Sequence, residues 1–566
     1  MIDTKSVVPL PLRANDRISP AEFCRGNDAS PAADERASVF ARRSLQNWSD
    51  RTKALVLLAL VALIYGFGLG RDFYFDDILY ISDNPLLSRP DALRLSWFSA
   101  DAFNYYPLFW SLLRVQWLLW GNHPFGYQLV ALLGHGVNAI LLWKIARQCR
   151  LPGAWYIAAL FALHPVNVQT VAWAAEQKNT WSFLFMALAS LAFIKHAAKR
   201  DWRVYTAALV CFVAALACKT SIVCLPLFLA ICCALRREKT SHTLLLQLAP
   251  FFIASLAAGL TTIWFEQHRV GAKSLIGALS IWQRVEASGA GFWFYAWKAI
   301  APIQLTPMYR GWVDTTAAAH GPLPAILLVL LLAVAALSWR RFRSIAGLGV
   351  IFYALMLLPL LGFFDTTYFI YSQIADHWQY HALPGLIVTV VCLAHSIAQR
   401  ARLARYSNVA GLITVAGAAL LSTAHFAHFE NARTLWRYVI AHNPDAWIAW
   451  YNLGNDYADQ REHAQAIDAY RQSLRVKSDY VPAHFNLANS LAATNRFDEA
   501  DGEYAEAEKI SPTDSDTVVN RAVLHLRMGR TDEAIAELQY ALKLEPHKAS
   551  AEANLARIYR SAAPAR

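Results

Sequence analysis

Asn452-Leu453-Gly454-Asn455 returns as Asn486-Leu487-Ala488-Asn489, then as Asn520-Arg521-Ala522-Val523 and Asn554-Leu555-Ala556-Arg557, at a strict 34-residue period. Other positions keep the same step: Ala466, Ala500 and Ala534, then Tyr470, Tyr504 and Leu538. Pro512 and Pro546 close successive units, with Ser478 in the corresponding place of the first. A repeat of this length with small residues at two set places reads as a helical hairpin whose helices approach closely. Stacked hairpins bury a shared face. Three units and a partial fourth suffice for a stable array, and its curvature creates a concave groove for an extended peptide or partner protein. The alternative is an array that only holds subunits together.

The period is that of tetratricopeptide repeats, and the expected domain is 431–566. Its end of the chain is mildly acidic beyond residue 440, with 14 basic against 19 acidic side chains, which argues against nucleic acid as a ligand. Upstream the character changes. The 566-residue chain is 56% hydrophobic and 16% charged, too apolar for a soluble protein of that length. Apolar runs recur near 54–70, 127–147, 155–173, 181–197, 204–218, 220–235, 243–264, 322–338, 344–363, 382–399 and 408–424. The expected fold is therefore all-α: a polytopic transmembrane helix bundle of about 11 spans over 53–430, followed by the repeat solenoid.

The net charge of +11 sits mainly in short connectors such as Arg42/Arg43, Lys144/Arg147, Lys199/Arg200, Arg340/Arg341/Arg343 and Arg400/Arg402/Arg405. Basic connectors face the cytoplasm. With that assignment the spans alternate consistently, placing the N-terminus inside and the repeats in the periplasm of an inner-membrane protein. Residues 1–52 are polar and rich in Ala, Ser and Arg, as a disordered cytoplasmic tail would be, and the first apolar run reads as a signal anchor. Seven of the eight cysteines lie in or beside apolar segments, and none has metal-site spacing. No cofactor is implied, although a divalent metal is left open.

This topology gives four outer regions: 71–126, a turn at 176–179, 266–320 and 364–381. The aromatic segments 105–120 and 291–300 fit the outer interface as amphipathic or re-entrant helices. The first region opens Arg71-Asp72-Phe73-Tyr74-Phe75-Asp76-Asp77-Ile78 and continues to Asp83-Asn84-Pro85. Adjacent carboxylates among aromatic residues at a membrane boundary are costly to desolvate. One of them as a general base, with its pKa raised by burial, would account for that cost. A helix cap plus a solvated charge is the plainer alternative.

The Phe-Asp-Asp followed by Asp-Asn-Pro resembles the first outer loop of the transmembrane and tetratricopeptide-repeat protein O-mannosyltransferases and their bacterial relatives, in the GT-C glycosyltransferase superfamily. Further similar segments follow in order: Tyr106-Pro107-Leu108, His123-Pro124-Phe125-Gly126-Tyr127, His135-Gly136-Val137-Asn138-Ala139 and Leu163-His164-Pro165-Val166. Lys178-Asn179, Lys219 and Ala375-Asp376-His377-Trp378-Gln379-Tyr380 complete the series.

The resemblance implies a GT-C-like bundle that moves a sugar from a polyprenyl-phosphate carrier to a hydroxyl acceptor, a protein Ser or Thr held in the repeat groove. Carried over residue by residue, it makes Asp76 the base and Asp77 its neighbour orienting the acceptor. Lys178, Lys219, Arg284, Arg310 and His377 are the candidates for holding the carrier phosphate. The two lysines can also be read as snorkelling at span ends. The chain departs from the resembled pattern at His377, where bacterial relatives usually carry Arg, and at Gln177 before the matching Lys-Asn. The rival to a glycosyltransferase is a non-catalytic, membrane-anchored repeat scaffold for envelope or pilus assembly.

Overall fold

The computed structural model describes residues 48–100, 102, 104–234, 241–269, 279–310, 321–364 and 366–562. Nearly all of the expected tail 1–52, and parts of the expected outer region 266–320, lie outside these. The described residues form helices and connecting turns with no strand, an all-α fold. Among the described residues, seven helices are long and apolar enough to cross a membrane: Asp50–Gly68, Pro124–Gln148, Ala174–Lys199, His242–His268, Leu323–Phe342, Leu383–Arg400 and Ala404–Ala427. Trp202–Cys218, Thr220–Ala234 and Ile345–Leu360 are apolar but shorter. A multi-pass membrane bundle follows from these lengths and compositions.

Of the about 11 expected spans, the described residues give seven at full length and three as shorter apolar helices, and segment 155–173 is not one continuous helix. It breaks into Ala154–Ala162, a turn of 3-10 helix at Pro165–Asn167 and the short helix Val168–Ala172. Pro165 cannot donate to the helical ladder and pushes His164 into an extended conformation. The freed backbone is satisfied locally: Asn167 Nδ2 donates to Phe161 O at 2.7 Å, and Val166 N to His164 Nδ1 at 3.3 Å. The two aromatic segments expected at the interface are helices Pro107–Trp120 and Ile281–Ile300. The second packs so tightly that a Cβ on Gly289 would lie 2.5 Å from Ala325 N on Leu323–Phe342. Small residues allow such contact between membrane helices.

The repeats are hairpins Trp447–Asp459 with His463–Val476, Val481–Ala493 with Phe497–Ile510, and Ser515–Arg527 with Thr531–Leu544, closed by Ala549–Ala562. The periodic small residues lie where helices touch: Ala466, Ala488, Ala500, Ala522 and Ala534 are fully buried. Tyr504 OH donates to Asn489 Oδ1 as Tyr470 OH does to Asn455 Oδ1, one period apart. The array joins the bundle through Ala432–His442 and the short segment 305–310. Tyr438 OH donates to Leu305 O at 2.8 Å, and Arg310 pairs with Asp445 at 2.8 Å. From the other side, Tyr368 OH donates to Pro307 O at 2.7 Å, and Tyr309 OH to both oxygens of Asp376 at 2.9 and 3.0 Å.

Candidate functional site

The loop after the first long helix is pinned on both flanks. Arg71 donates to Phe426 O and Phe429 O at 3.3 and 3.0 Å, and Gln128 Nε2 to Arg71 O at 2.8 Å. Tyr74 OH then reaches Ala172 O at 3.3 Å. Phe75 follows with φ of +53°, a left-handed conformation that a bulky L-residue adopts at a cost of about 1–3 kcal/mol. Its ring sits 5.5 Å from Trp173, 5.4 Å from Trp436 and 5.8 Å from Tyr371, centroid to centroid. These contacts hold the strained residue in place.

The turn presents the adjacent carboxylates differently. Asp77 is 1% exposed and its Oδ1 accepts from Ala175 N at 2.7 Å, so it ties the loop to the turn at 174–176 rather than facing an open space. Burial pushes its pKa up to about 7, against the pull of that backbone bond. Asp76 remains partly exposed. Burial likewise raises it, to about 6, with Lys178 and Lys219 pulling downward and Glu176 pushing upward. Of the two, Asp76 is the less enclosed residue, and two lysines act on it.

Glu176 organises those lysines. It is 1% exposed, and its Oε1 lies 2.8 Å from Lys178 Nζ while Oε2 lies 3.7 Å from Lys219 Nζ. Asn179 Nδ2 donates to Oε2 at 2.6 Å and to His377 O at 3.3 Å. Lys178 Nζ also stands 4.6 Å from the Tyr80 ring centroid. One buried carboxylate thus compensates two buried ammonium groups, and with Asp76 the four charges balance when all are ionised.

His377 joins the same cluster, with Nε2 3.8 Å from Glu176 Oε1. Burial pushes its pKa down to about 3, helped by Lys219 and Lys178 against Glu176. It is therefore neutral at pH 7, an imidazole able to hydrogen-bond rather than the cation that an arginine would supply. The other departure, Gln177, is accommodated by a glutamine on a neighbouring helix. Gln177 and Gln116 exchange amide hydrogen bonds at 3.0 and 3.2 Å, and Gln177 Nε2 also donates to Tyr127 O at 3.0 Å. This buried pair fixes the turn carrying Glu176 and Lys178 against Pro107–Trp120.

Arg284 and Arg310 lie elsewhere. Arg284 donates to Leu279 O and Phe363 O. Arg310 is 71% exposed and salt-bridged to Asp445 of the repeat side. Among the described residues no bond or ion pair joins either to the Asp76 cluster, and no group of three or more His, Cys, Asp or Glu is arranged to hold a metal ion. The residue sequence reasoning passed over is Glu176. Its signal was available as a carboxylate two positions before a lysine, in a turn with no other charge.

Comparison with known proteins agrees with both halves of the architecture. Residues 107–264 match the family described as dolichyl-phosphate-mannose-protein mannosyltransferase, and 426–475, 451–515 and 519–562 match the tetratricopeptide repeat. Protein O-mannosyl-transferase TMTC3 of Mus musculus is 22% identical over 506 residues, covering 81% of this chain and 54% of that protein. Its namesake Tmtc3 of Drosophila melanogaster is 22% identical over 537 residues, covering 77% and 56%. A shorter stretch is 29% identical to protein O-mannosyl-transferase tmtc2 of Xenopus laevis over 160 residues, covering 26% and 19%. The chain spans about half the length of the curated relatives it matches most extensively.

Proposed function

We propose, for a chain that is a distant relative of the transmembrane and tetratricopeptide-repeat protein O-mannosyl-transferases along most of its length, that it transfers a sugar from a polyprenyl-phosphate carrier to a protein hydroxyl. The acceptor is a Ser or Thr delivered by the repeats, and the reaction takes place on the outer face of the membrane. The carrying observation is the juxtaposition of a partly exposed Asp76 with Lys178 and Lys219.

The acceptor oxygen attacks the anomeric carbon as the bond from that carbon to the carrier phosphate breaks, inverting its configuration. Asp76 Oδ takes the hydroxyl proton. Charge accumulates on the leaving phosphate, and the two ammonium groups held by Glu176 are already in place to receive it, so little reorganisation accompanies the step. Asp77 positions the loop through Ala175 N, and neutral His377 serves as a hydrogen-bonding group. Holding donor and acceptor together supplies much of the rate.

The test compares glycoproteins from cells carrying the intact chain with those from cells carrying Asp76→Asn at equal abundance. Loss of a subset of O-linked sugars in the variant is expected. Identical glycan profiles would overturn the reading and leave a membrane-anchored scaffold.

A further inference from the structure

Four polar atoms at His377 and its neighbours find no hydrogen-bond partner among the described residues: Trp173 Nε1, His377 Nδ1, Gln169 Nε2 and Asn179 Oδ1. All four side chains are deeply enclosed, the least so being His377 at 3% exposure. A buried polar atom without a partner is costly, and folded proteins leave few of them. These four come from two stretches of chain that meet at one residue. Gln169 Oε1 accepts from His377 N at 3.3 Å, Asn179 Nδ2 donates to His377 O at 3.3 Å, and the Trp173 and His377 rings lie 6.1 Å apart, centroid to centroid. The group sits between the two halves of the candidate site. Trp173 packs on Phe75, the neighbour of Asp76, and His377 Nε2 faces Glu176, which holds both lysines.

We infer that one hydroxyl of the transferred sugar is held by Trp173 Nε1 and His377 Nδ1, accepting from the first and donating to the second. This rests on the transferase reading above and adds the donor's sugar subsite to it. With the carrier phosphate at the lysines and the attacking oxygen at Asp76, the anomeric carbon lies between them, and the sugar ring lies beside the residues that pack between those points. The chemistry of the two atoms selects the occupant. An indole N–H only donates. A carboxylate 3.8 Å from Nε2 favours the tautomer with its proton on that nitrogen, which leaves Nδ1 of the neutral ring as an acceptor. A hydroxyl serves both atoms at once. An ionised phosphate has no proton for Nδ1, and an ammonium has no lone pair for the indole. Gln169 Nε2 and Asn179 Oδ1 add a second donor and a second acceptor, the same mixed pattern, which suits an uncharged, hydroxyl-rich glycosyl group.

The experiment uses the full chain in nanodiscs and, as probes, sugar-free farnesyl phosphate, its mannosyl, glucosyl and galactosyl forms, and the monodeoxy derivatives of each. Affinity is read by competition without an acceptor, so it is independent of transfer. At least one hexosyl form is expected to bind about tenfold or more tightly than farnesyl phosphate, and one of its monodeoxy derivatives to lose about tenfold. Trp173→Phe keeps a ring and removes the N–H. It is expected to bind the full hexosyl form about tenfold more weakly than the parent does, and that one deoxy derivative equally well. If Trp173→Phe fails to fold, by its melting curve, His377→Phe is put through the same comparison. Equal binding of the hexosyl and sugar-free lipids overturns the subsite, as does a folded variant that keeps the parent's preference for the hydroxyl. Atoms served by water alone would give one of those two results. A hydroxyl preference that depends on Trp173, together with an Asp76→Asn variant that still glycosylates, would support the subsite while removing Asp76 as the base.

Discussion

Lys178 Nζ lies 2.8 Å from Glu176 Oε1, and both side chains are almost completely enclosed by protein. Removing one partner of such a pair leaves a buried charge without compensation, which costs about 3–5 kcal/mol. Glu176→Gln strands Lys219 as well. The expected result is a clear drop in the thermal unfolding midpoint in detergent, with loss of transfer. A variant as stable as the parent would mean that water reaches the lysines and the cluster is not sealed.

Asp76 is pushed from 3.8 to about 6, and a base must be ionised. Transfer by the intact chain is expected to rise with pH along a limb centred near pH 6, a limb absent from any residual activity of Asp76→Asn. The stability effect has the opposite direction. Between about pH 4 and 6 the folded chain keeps a proton that the unfolded chain has lost, so this group's contribution falls as pH rises across that window. A rate limb centred near pH 4 would show that Asp76 is solvated as an ordinary carboxylate.

Gln116 and Gln177 satisfy each other's amides. Gln177→Leu takes from Gln116 Oε1 the donor it accepts from and is expected to cost about 1–3 kcal/mol, while Gln116→Leu, which leaves Gln177 its bonds to Tyr127 O and Trp181, should cost less. The double Leu variant should cost less than the two single changes together, giving a favourable coupling in a double-mutant cycle. Strict additivity in denaturant unfolding would show that the two amides do not depend on one another.

Gly454 has no room for a side chain, since a Cβ there would stand 2.5 Å from the Tyr470 ring. Gly454→Ala must push the first hairpin apart, at about 1–3 kcal/mol. Hydrogen exchange should report faster opening across 447–476 with the third repeat little changed, because solenoid units couple mainly to their neighbours. Uniform protection in the parent and the variant would contradict this packing.

The repeats were legible because a 34-residue period is local information, repeated four times over. Long apolar runs were legible for the same reason, whereas the break at His164-Pro165 was carried by one proline inside a run whose average composition still reads as a span. Asp76 and Lys178 stood out through the order of motifs. What could not be read was which side chains meet. Lys219 lies 3.7 Å from Glu176 because two helix ends come together, and Arg310 bonds to Asp445, 135 residues away beside the first repeat helix. Position along the chain made Arg284 and Arg310 candidates, but among the described residues no bond joins them to the cluster around Asp76. Neutral His377 is likewise a matter of enclosure, invisible in the residue type alone.

The stretch 305–310 is gripped by Tyr438 and Asp445 on one flank and by Tyr368 and Asp376 on the other. An array clamped in this way cannot swing like a weight on a string. Under the proposed chemistry it acts as a ruler: whatever segment it grasps, the hydroxyl that arrives at Asp76 lies a constant number of residues from the point of grip. Modified positions in any one substrate would then fall at regular offsets from its recognised segment, a spacing that mass spectrometry can count.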